Sequence, residues 1–123
     1  HTGMDYTAPI GTPVLATGDG VIEKAQRSRR GSGNLLIIDH GYGYKTKYAH
    51  LNDIKTWRGR EVKRGDIIGT VGNTGLSAGP HLHYEVLFYD EPVNPVNYCF
   101  LELSPIEYDR LIMLSKNSGQ SFD

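Results

Sequence analysis

The 123-residue chain has one cysteine, almost no net charge and no long hydrophobic run, and each of these absences excludes a class of protein. Cys99 has no second cysteine for an internal disulfide or a cysteine zinc cluster, so we expect a small buried apolar residue there. Thirteen basic and fourteen acidic residues give a formal charge of -1, which predicts no nucleic-acid partner. No apolar run approaches the roughly 18 residues that cross a bilayer, so no membrane span is expected.

The residues that are plentiful favour a β-sheet. Fifteen glycines and six prolines are scattered among many Val, Ile, Thr and Tyr residues, a composition typical of short strands joined by tight turns. The length suits one domain with a single core. We predict a mainly β fold with a folded, mostly antiparallel sheet. Its predicted strands are Val14 to Thr17, Gly20 to Gln26, Asn34 to Asp39, Tyr44 to His50, Val62, Ile67 to Val71 and the run that begins at His81.

The end of the chain has a helical pattern. Ser104, Pro105 and Glu107 form an N-cap serine, a first-turn proline and a glutamate three residues after the cap. An apolar stripe from Tyr108 to Leu114 follows. We therefore predict a domain over residues 1–100 and a C-terminal helical extension over residues 101–123 that packs on it. Because the chain opens at His1 without an initiator methionine, we interpret it as the C-terminal catalytic part of a longer protein.

The run His81-Leu82-His83 is the most informative stretch for function. Side chains alternate across a strand, so both imidazoles should lie on one face, while Leu82 and Tyr84 should lie on the other. Two such histidines can bind a metal or take part in catalysis, or they can be solvated side chains of a polar strand face. With His1 and Asp5, however, His83 completes two imidazoles and one carboxylate, the donor set of a catalytic zinc site with an open fourth position.

A hydrolytic zinc site also needs a proton acceptor and a donor to the oxyanion. His50 and His81 remain available for both tasks. The helical motif His-Glu-x-x-His, which supplies a glutamate base in many zinc proteases, is absent. Glu85 shares a strand face with His81 and His83, and we expect it to be a partner of a ligand or a surface carboxylate, without a catalytic part. His40 is expected to be a structural histidine that bonds the backbone.

Eight segments in consistent order between residue 1 and about residue 98 resemble the lysostaphin and LytM type of zinc metallopeptidase. They are His1-Thr2-Gly3-Met4-Asp5, Pro9-Ile10-Gly11-Thr12-Pro13-Val14, Gly18-Asp19-Gly20-Val21, His40-Gly41-Tyr42-Gly43, Tyr48-Ala49-His50-Leu51, Val62-Lys63-Arg64-Gly65-Asp66, Gly72-Asn73-Thr74-Gly75 and Gly79-Pro80-His81-Leu82-His83-Tyr84-Glu85. An ordered series of motifs is more specific than any one of them.

The resemblance implies a site and an activity. His1, Asp5 and His83 would hold one Zn²⁺, and His50 and His81 would flank the activated water. His81 is the better candidate for the general base, and His50 for orienting water or stabilising the oxyanion, although the sequence leaves this division open.

The substrate would be the peptide part of bacterial peptidoglycan, cut by an endopeptidase in the periplasm or cell envelope. The alternative is a non-catalytic domain that regulates wall amidases. Loops Arg27 to Asn34 and Asp53 to Arg60 leave open whether oligoglycine bridges or direct cross-links are cut, and the sequence does not give the oligomeric state.

Overall fold

The computed structural model describes residues 3–94 and 104–106, and the backbone of residues 120–122. This part of the chain forms ten strands and contains no helix. The strands are β1 (Gly3–Thr7), β2 (Pro13–Leu15), β3 (Gly20–Gln26), β4 (Asn34–Gly41), β5 (Tyr44–Ile54), β6 (Glu61–Val62), β7 (Ile67–Val71), β8 (His81–Phe88), β9 (Glu91–Val93) and β10 (Gln120–Phe122).

One sheet contains all ten strands, in the order β10-β1-β8-β5-β4-β3-β6. Strand β9 pairs with β8, while β7 pairs with both β5 and β2. Every one of these pairings is antiparallel. The predicted mainly β, antiparallel fold is confirmed. Strands β1, β8 and β5 lie side by side at the middle of the sheet, so their side chains can form one continuous site.

Strict alternation along β8 separates the core from the opposite face. Leu82, Tyr84 and Val86 are buried, whereas His81 and His83 retain some exposure to solvent. The expected alternation fails only at Phe88, which is exposed and packs against Tyr44 at the end of the strand. The largest fully buried side chains are those of Tyr48, Ile22, Leu36, Ile38, Leu51, Ile68, Leu82 and Ile106.

A chain of hydrogen bonds crosses the core beneath the central strands. The Tyr48 hydroxyl lies 2.8 Å from Thr46 Oγ1 and 2.9 Å from Thr17 Oγ1. His40 Nε2 reaches Thr46 Oγ1 at 2.6 Å, and His40 Nδ1 donates to the Asp19 carbonyl at 2.8 Å. His40 is therefore the structural histidine that the sequence predicts. These contacts satisfy hydroxyl groups that would be costly to bury without partners.

The predicted C-terminal helix does not begin where its cap signal lies. Ile106 forms a β-bridge with Val14 and is buried, and the Pro105 carbonyl accepts a hydrogen bond from the Leu15 amide at 2.8 Å. Pairing with β2 and burial of an apolar side chain therefore override the local helix signal. Residues 107–119, where the helix body was predicted, lie outside the described residues, as do Cys99 and His1. No helix that could span a membrane occurs among the described residues.

Candidate metal centre

Asp5 and His83 face each other across neighbouring strands. Asp5 on β1 lies directly opposite His83 on β8, which brings together two residues 78 positions apart in the sequence. The distance between Asp5 Oδ1 and His83 Nδ1 is 2.9 Å. His81 Nε2 lies 3.6 Å from the same carboxylate oxygen. All three side chains are about four-fifths or more buried, so the sheet holds them in a restricted arrangement.

His50 reaches the same cleft by a break in strand alternation. Regular alternation along the strand predicted for Tyr44 to His50 would place His50 on one face with Thr46 and Tyr48, which are core residues. The structure departs from this pattern, because the His50 backbone has a φ of 62°, in the left-handed region that few non-glycine residues adopt. The turn brings the His50 ring to 4.9 Å from the His81 ring and 6.3 Å from the His83 ring, centroid to centroid.

Backbone carbonyls fix the orientation of His50 and His81. His50 Nδ1 lies 2.6 Å from the Thr74 carbonyl oxygen, and His81 Nδ1 lies 2.8 Å from that of Gly79. A carbonyl oxygen can only accept a hydrogen bond, so Nδ1 carries the proton in both rings. In the neutral form of each ring, Nε2 is then the unprotonated nitrogen. Each histidine consequently has one nitrogen able to accept a proton.

His83 is held differently, by a carboxylate at each ring nitrogen. Its Nε2 donates to Glu85 Oε2 at 2.6 Å, and its Nδ1 faces Asp5. Burial lowers the pKa of His83, but the bonds to Glu85 and Asp5 outweigh it, so the pKa lies above its usual value. The bond from His83 is also the main reason why the pKa of Glu85 is lowered. Glu85 is thus a partner of His83, one of the two roles expected for it.

The pKa of His50 is displaced in the opposite direction. Burial lowers it, and the nearby positive charge of protonated His81 or His83 would lower it further. The hydrogen bond to the Thr74 carbonyl only partly offsets this. His50 is accordingly neutral at pH 7, with Nε2 available as an acceptor.

The donor set fits a zinc ion as far as the structure describes it. With Glu85 bonded to His83 Nε2, the opposite nitrogen Nδ1 points at Asp5, which is how a carboxylate commonly orients a metal-binding imidazole. Asp5 and His83 supply one oxygen and one nitrogen. His1, the third predicted ligand, lies outside the described residues, and no group of three candidate ligands occurs among those described. The assignment of His1, Asp5 and His83 as ligands stays a prediction.

An open cleft of about 260 Å³ adjoins His50 and His83. One wall is the loop around Gly31 and Ser32, and Leu76, which is 85% exposed, stands beside it. This wall is fixed because Gly75, at a φ of +73°, packs directly against the backbone of Gly33, where a side chain would collide. The remaining lining residues are Lys47, His50, His83 and Glu85.

Sequence reasoning did not identify Lys47 as a residue of the cleft. The β5–β8 register places it opposite Glu85, and therefore on the same face as His83. Strand alternation alone could not reveal this, because the pairing of β5 with β8 was needed to show which face of β5 adjoins the histidines.

Several imidazoles and a carboxylate that lie together beside an open cleft are typical of the active site of a metal-dependent hydrolase. The model of peptidase family M23 matches residues 1–95, and the chain belongs to that family. This confirms the resemblance drawn from the eight sequence segments.

Relatives and solved structures agree with this membership. The DD-carboxypeptidase/endopeptidase Mpg of Neisseria meningitidis is 52% identical over 97 residues, covering 79% of this chain and 22% of its own. A zinc-containing peptidase from Vibrio cholerae has a TM-score of 0.71 and 46% identity, covering 74% of this chain and 28% of that one. The catalytic domain of lysostaphin from Staphylococcus simulans has a TM-score of 0.75 and 35% identity, covering 80% and 77%. The chain spans about a quarter of the length of the curated relatives it matches.

Proposed function

We propose that the protein is a zinc-dependent endopeptidase that hydrolyses peptide bonds in the stem peptides or cross-links of bacterial peptidoglycan. The observation that carries the proposal is the clustering of Asp5, His83, His81 and His50 beside an open cleft, within a family of peptidases. We further propose that His1, Asp5 and His83 hold one Zn²⁺ per chain. Bound there, the ion would polarise the scissile carbonyl and lower the pKa of a water molecule.

His81 is the better general base of the two remaining histidines. Its Nδ1 proton is bonded to the Gly79 carbonyl, which leaves Nε2 to take a proton from the attacking water. Asp5 Oδ1 lies 3.6 Å from this nitrogen. The same proton can then pass to the amine that leaves when the peptide bond breaks.

His50 is suited to orienting the water. Its lowered pKa keeps the ring neutral, and its Nδ1 proton is committed to the Thr74 carbonyl. Nε2 can therefore accept a hydrogen bond from water, but a neutral ring in this tautomer has no proton to donate to an oxyanion. Of the two roles suggested for His50 by the sequence, the geometry favours water orientation.

The substrate assignment follows the relatives, two of which have names that specify the DD bond. Mpg is a DD-carboxypeptidase/endopeptidase, and ShyA of Vibrio cholerae, 48% identical over 94 residues, is a peptidoglycan DD-endopeptidase. We propose that this chain cuts direct cross-links that contain D-alanine in preference to oligoglycine bridges. Because peptidoglycan lies outside the cytoplasmic membrane, we place the activity in the periplasm or cell envelope.

Two substitutions separate metal binding from proton transfer. His83→Ala should lose zinc and activity together, whereas His81→Ala should retain zinc and lose about 10²- to 10⁴-fold in turnover, the usual contribution of a general base. Zinc is measured by elemental analysis of the purified protein. Turnover is measured by mass spectrometry of peptides released from isolated sacculi.

His40→Asn serves as the control, because His40 contacts Asp19 and Thr46 away from the cleft. It should retain both zinc and turnover if it folds. A protein that binds no stoichiometric zinc, or that releases no peptide when loaded with zinc, would contradict the proposal and favour the regulatory alternative.

A further inference from the structure

Among the residues that the structure describes, Lys47 is the only lysine or arginine lining the cleft that contains His50 and His83. Its side chain is half-buried, and it makes no hydrogen bond or ion pair of its own with the described residues. Its positive charge helps to lower the pKa of Glu85, but that carboxylate is bonded to His83. The ammonium group is therefore available to a ligand in the cleft.

A neighbouring lysine on the same strand, Lys45, has its charge neutralised by carboxylates of the chain itself. Lys45 lies two residues away on the same face of β5, and it contacts Glu23 at 2.8 Å and Asp90 at 2.9 Å. Those two carboxylates raise its pKa strongly. Lys45 has a structural role on this face, whereas Lys47 has no equivalent partners among the described residues. This difference between the two lysines is consistent with a ligand in the cleft as the partner of Lys47.

The position of Lys47 relates it to the reacting bond. Across the β5–β8 pair, Ala49 lies opposite His83 and Lys47 lies opposite Glu85, one step of about 6.8 Å farther along the strands. Lys47 is therefore attached to the sheet one step away from the level of His83, beside the proposed reaction centre. A substrate group that binds Lys47 would thus be attached close to the scissile amide.

We propose that Lys47 binds a substrate carboxylate carried by the carbon atom that also bears the scissile nitrogen. This inference rests on the proposed function and deepens it. In a D-alanyl-D-alanine terminus, that carbon carries the C-terminal carboxylate. In a direct cross-link from D-alanine to a diamino acid such as diaminopimelic acid, it carries the free carboxylate of the diamino acid. One ammonium group can therefore recognise the substrates of both a carboxypeptidase and an endopeptidase.

The same contact would discriminate against peptidoglycan whose cross-links are oligoglycine bridges. The internal bonds of an oligoglycine bridge have no carboxylate at this carbon. Binding such a bridge would leave Lys47 without an anion in a partly desolvated cleft, which is unfavourable. The charge of Lys47, rather than the shape of a loop, would thus account for the proposed preference for direct cross-links over glycine bridges.

The test compares two peptides that differ only at the proposed contact. A stem pentapeptide ending in D-alanyl-D-alanine is used as the free acid and as the C-terminal amide, with zinc-loaded protein. The wild type should have a kcat/KM about 10- to 100-fold higher for the acid, the range expected for a charge-assisted hydrogen bond. Lys47→Met should remove this preference by lowering the value for the acid alone. Lys47→Arg should restore most of it, because the charge is kept.

Lys55→Met is the matched control. Lys55 directly follows β5, is exposed and does not line the cleft. It should behave as the wild type with both peptides, and all variants should keep their zinc. Equal losses with acid and amide in Lys47→Met would indicate a structural role and overturn the inference. An undiminished preference for the acid in that variant would overturn it as well.

A binding measurement distinguishes failure of this inference from failure of the proposed function. Calorimetry with the zinc-loaded His81→Ala variant measures the affinity for each peptide without turnover. We expect about 10- to 100-fold tighter binding of the acid, lost when Lys47→Met is added. If the wild type cleaves neither peptide but this difference in affinity is found, the carboxylate site stands and the peptidase assignment fails.

Discussion

The backbone of His50 shows how one residue can alter the composition of a site. Regular alternation would direct its ring into the core with Tyr48, yet a φ of 62° turns it towards His81 and His83. The hydrogen bond to the Thr74 carbonyl compensates for part of the strain and fixes the tautomer. His50 is thereby neutral with Nε2 as a hydrogen-bond acceptor, whereas a histidine in general can either donate or accept a proton.

The protonation of His83 provides a prediction at the scale of one residue. In the zinc-free protein its pKa should lie above the usual value of about 6.5, and Glu85→Gln should lower it by removing an anionic acceptor. NMR titration of the imidazole nitrogens measures both. Because the folded pKa is raised, protonated His83 stabilises the zinc-free fold below the unfolded pKa, and this contribution disappears as pH rises through the folded pKa. A His83 pKa unchanged by Glu85→Gln would contradict the role given to that carboxylate.

At the scale of elements, the segment 104–106 is part of the main core although it lies beyond the motif region. Ile106 is 1% exposed and forms a β-bridge with Val14 on β2. Backbone pairing of β10 with β1 adds a second contact from the same end of the chain. The division into a domain over 1–100 and an extension over 101–123 remains a prediction, but segments from the extension complete the sheet and its core.

Truncation of Ile106 measures this contribution. Ile106→Ala should lower the free energy of unfolding by about 2–5 kcal/mol, because it removes buried methyl groups and leaves a cavity. Chemical denaturation of the purified protein gives the value. Ile67→Ala is the matched control, since Ile67 is 50% exposed and its truncation should cost much less. Equal effects of the two substitutions would show that Ile106 is not a core residue in solution.

At the scale of the whole molecule, the sheet assembles a site whose parts are distant in sequence. Asp5 and His83 are 78 positions apart in the sequence, and the direct pairing of β1 with β8 makes them neighbours. The loop carrying Thr74 then fixes His50 from a third direction. Zinc bound at such a site would stabilise the folded state as a whole, because the unfolded chain does not hold its ligands together.

Thermal unfolding with and without zinc tests this coupling. A free zinc concentration 100 times the dissociation constant should add about 2.7 kcal/mol to the free energy of unfolding and raise Tm by several degrees. A chelator should reverse the increase. His83→Ala should remove the zinc dependence, whereas His81→Ala should retain it. A zinc-dependent rise of the same size in His83→Ala would contradict the ligand assignment.

The sequence by itself determined the strand pattern, the turns and the division of β8 into a core face and a histidine face, because these depend on local backbone preferences and a period of two. It also identified the family through ordered motifs. The tertiary structure decided what depends on pairing between distant segments: the contact between Asp5 and His83, the burial of Ile106 in place of a helical turn, and the position of Lys47 in the cleft. His50 belongs with these, since its left-handed backbone is maintained by contacts with Ser32 and Thr74 that no local pattern encodes.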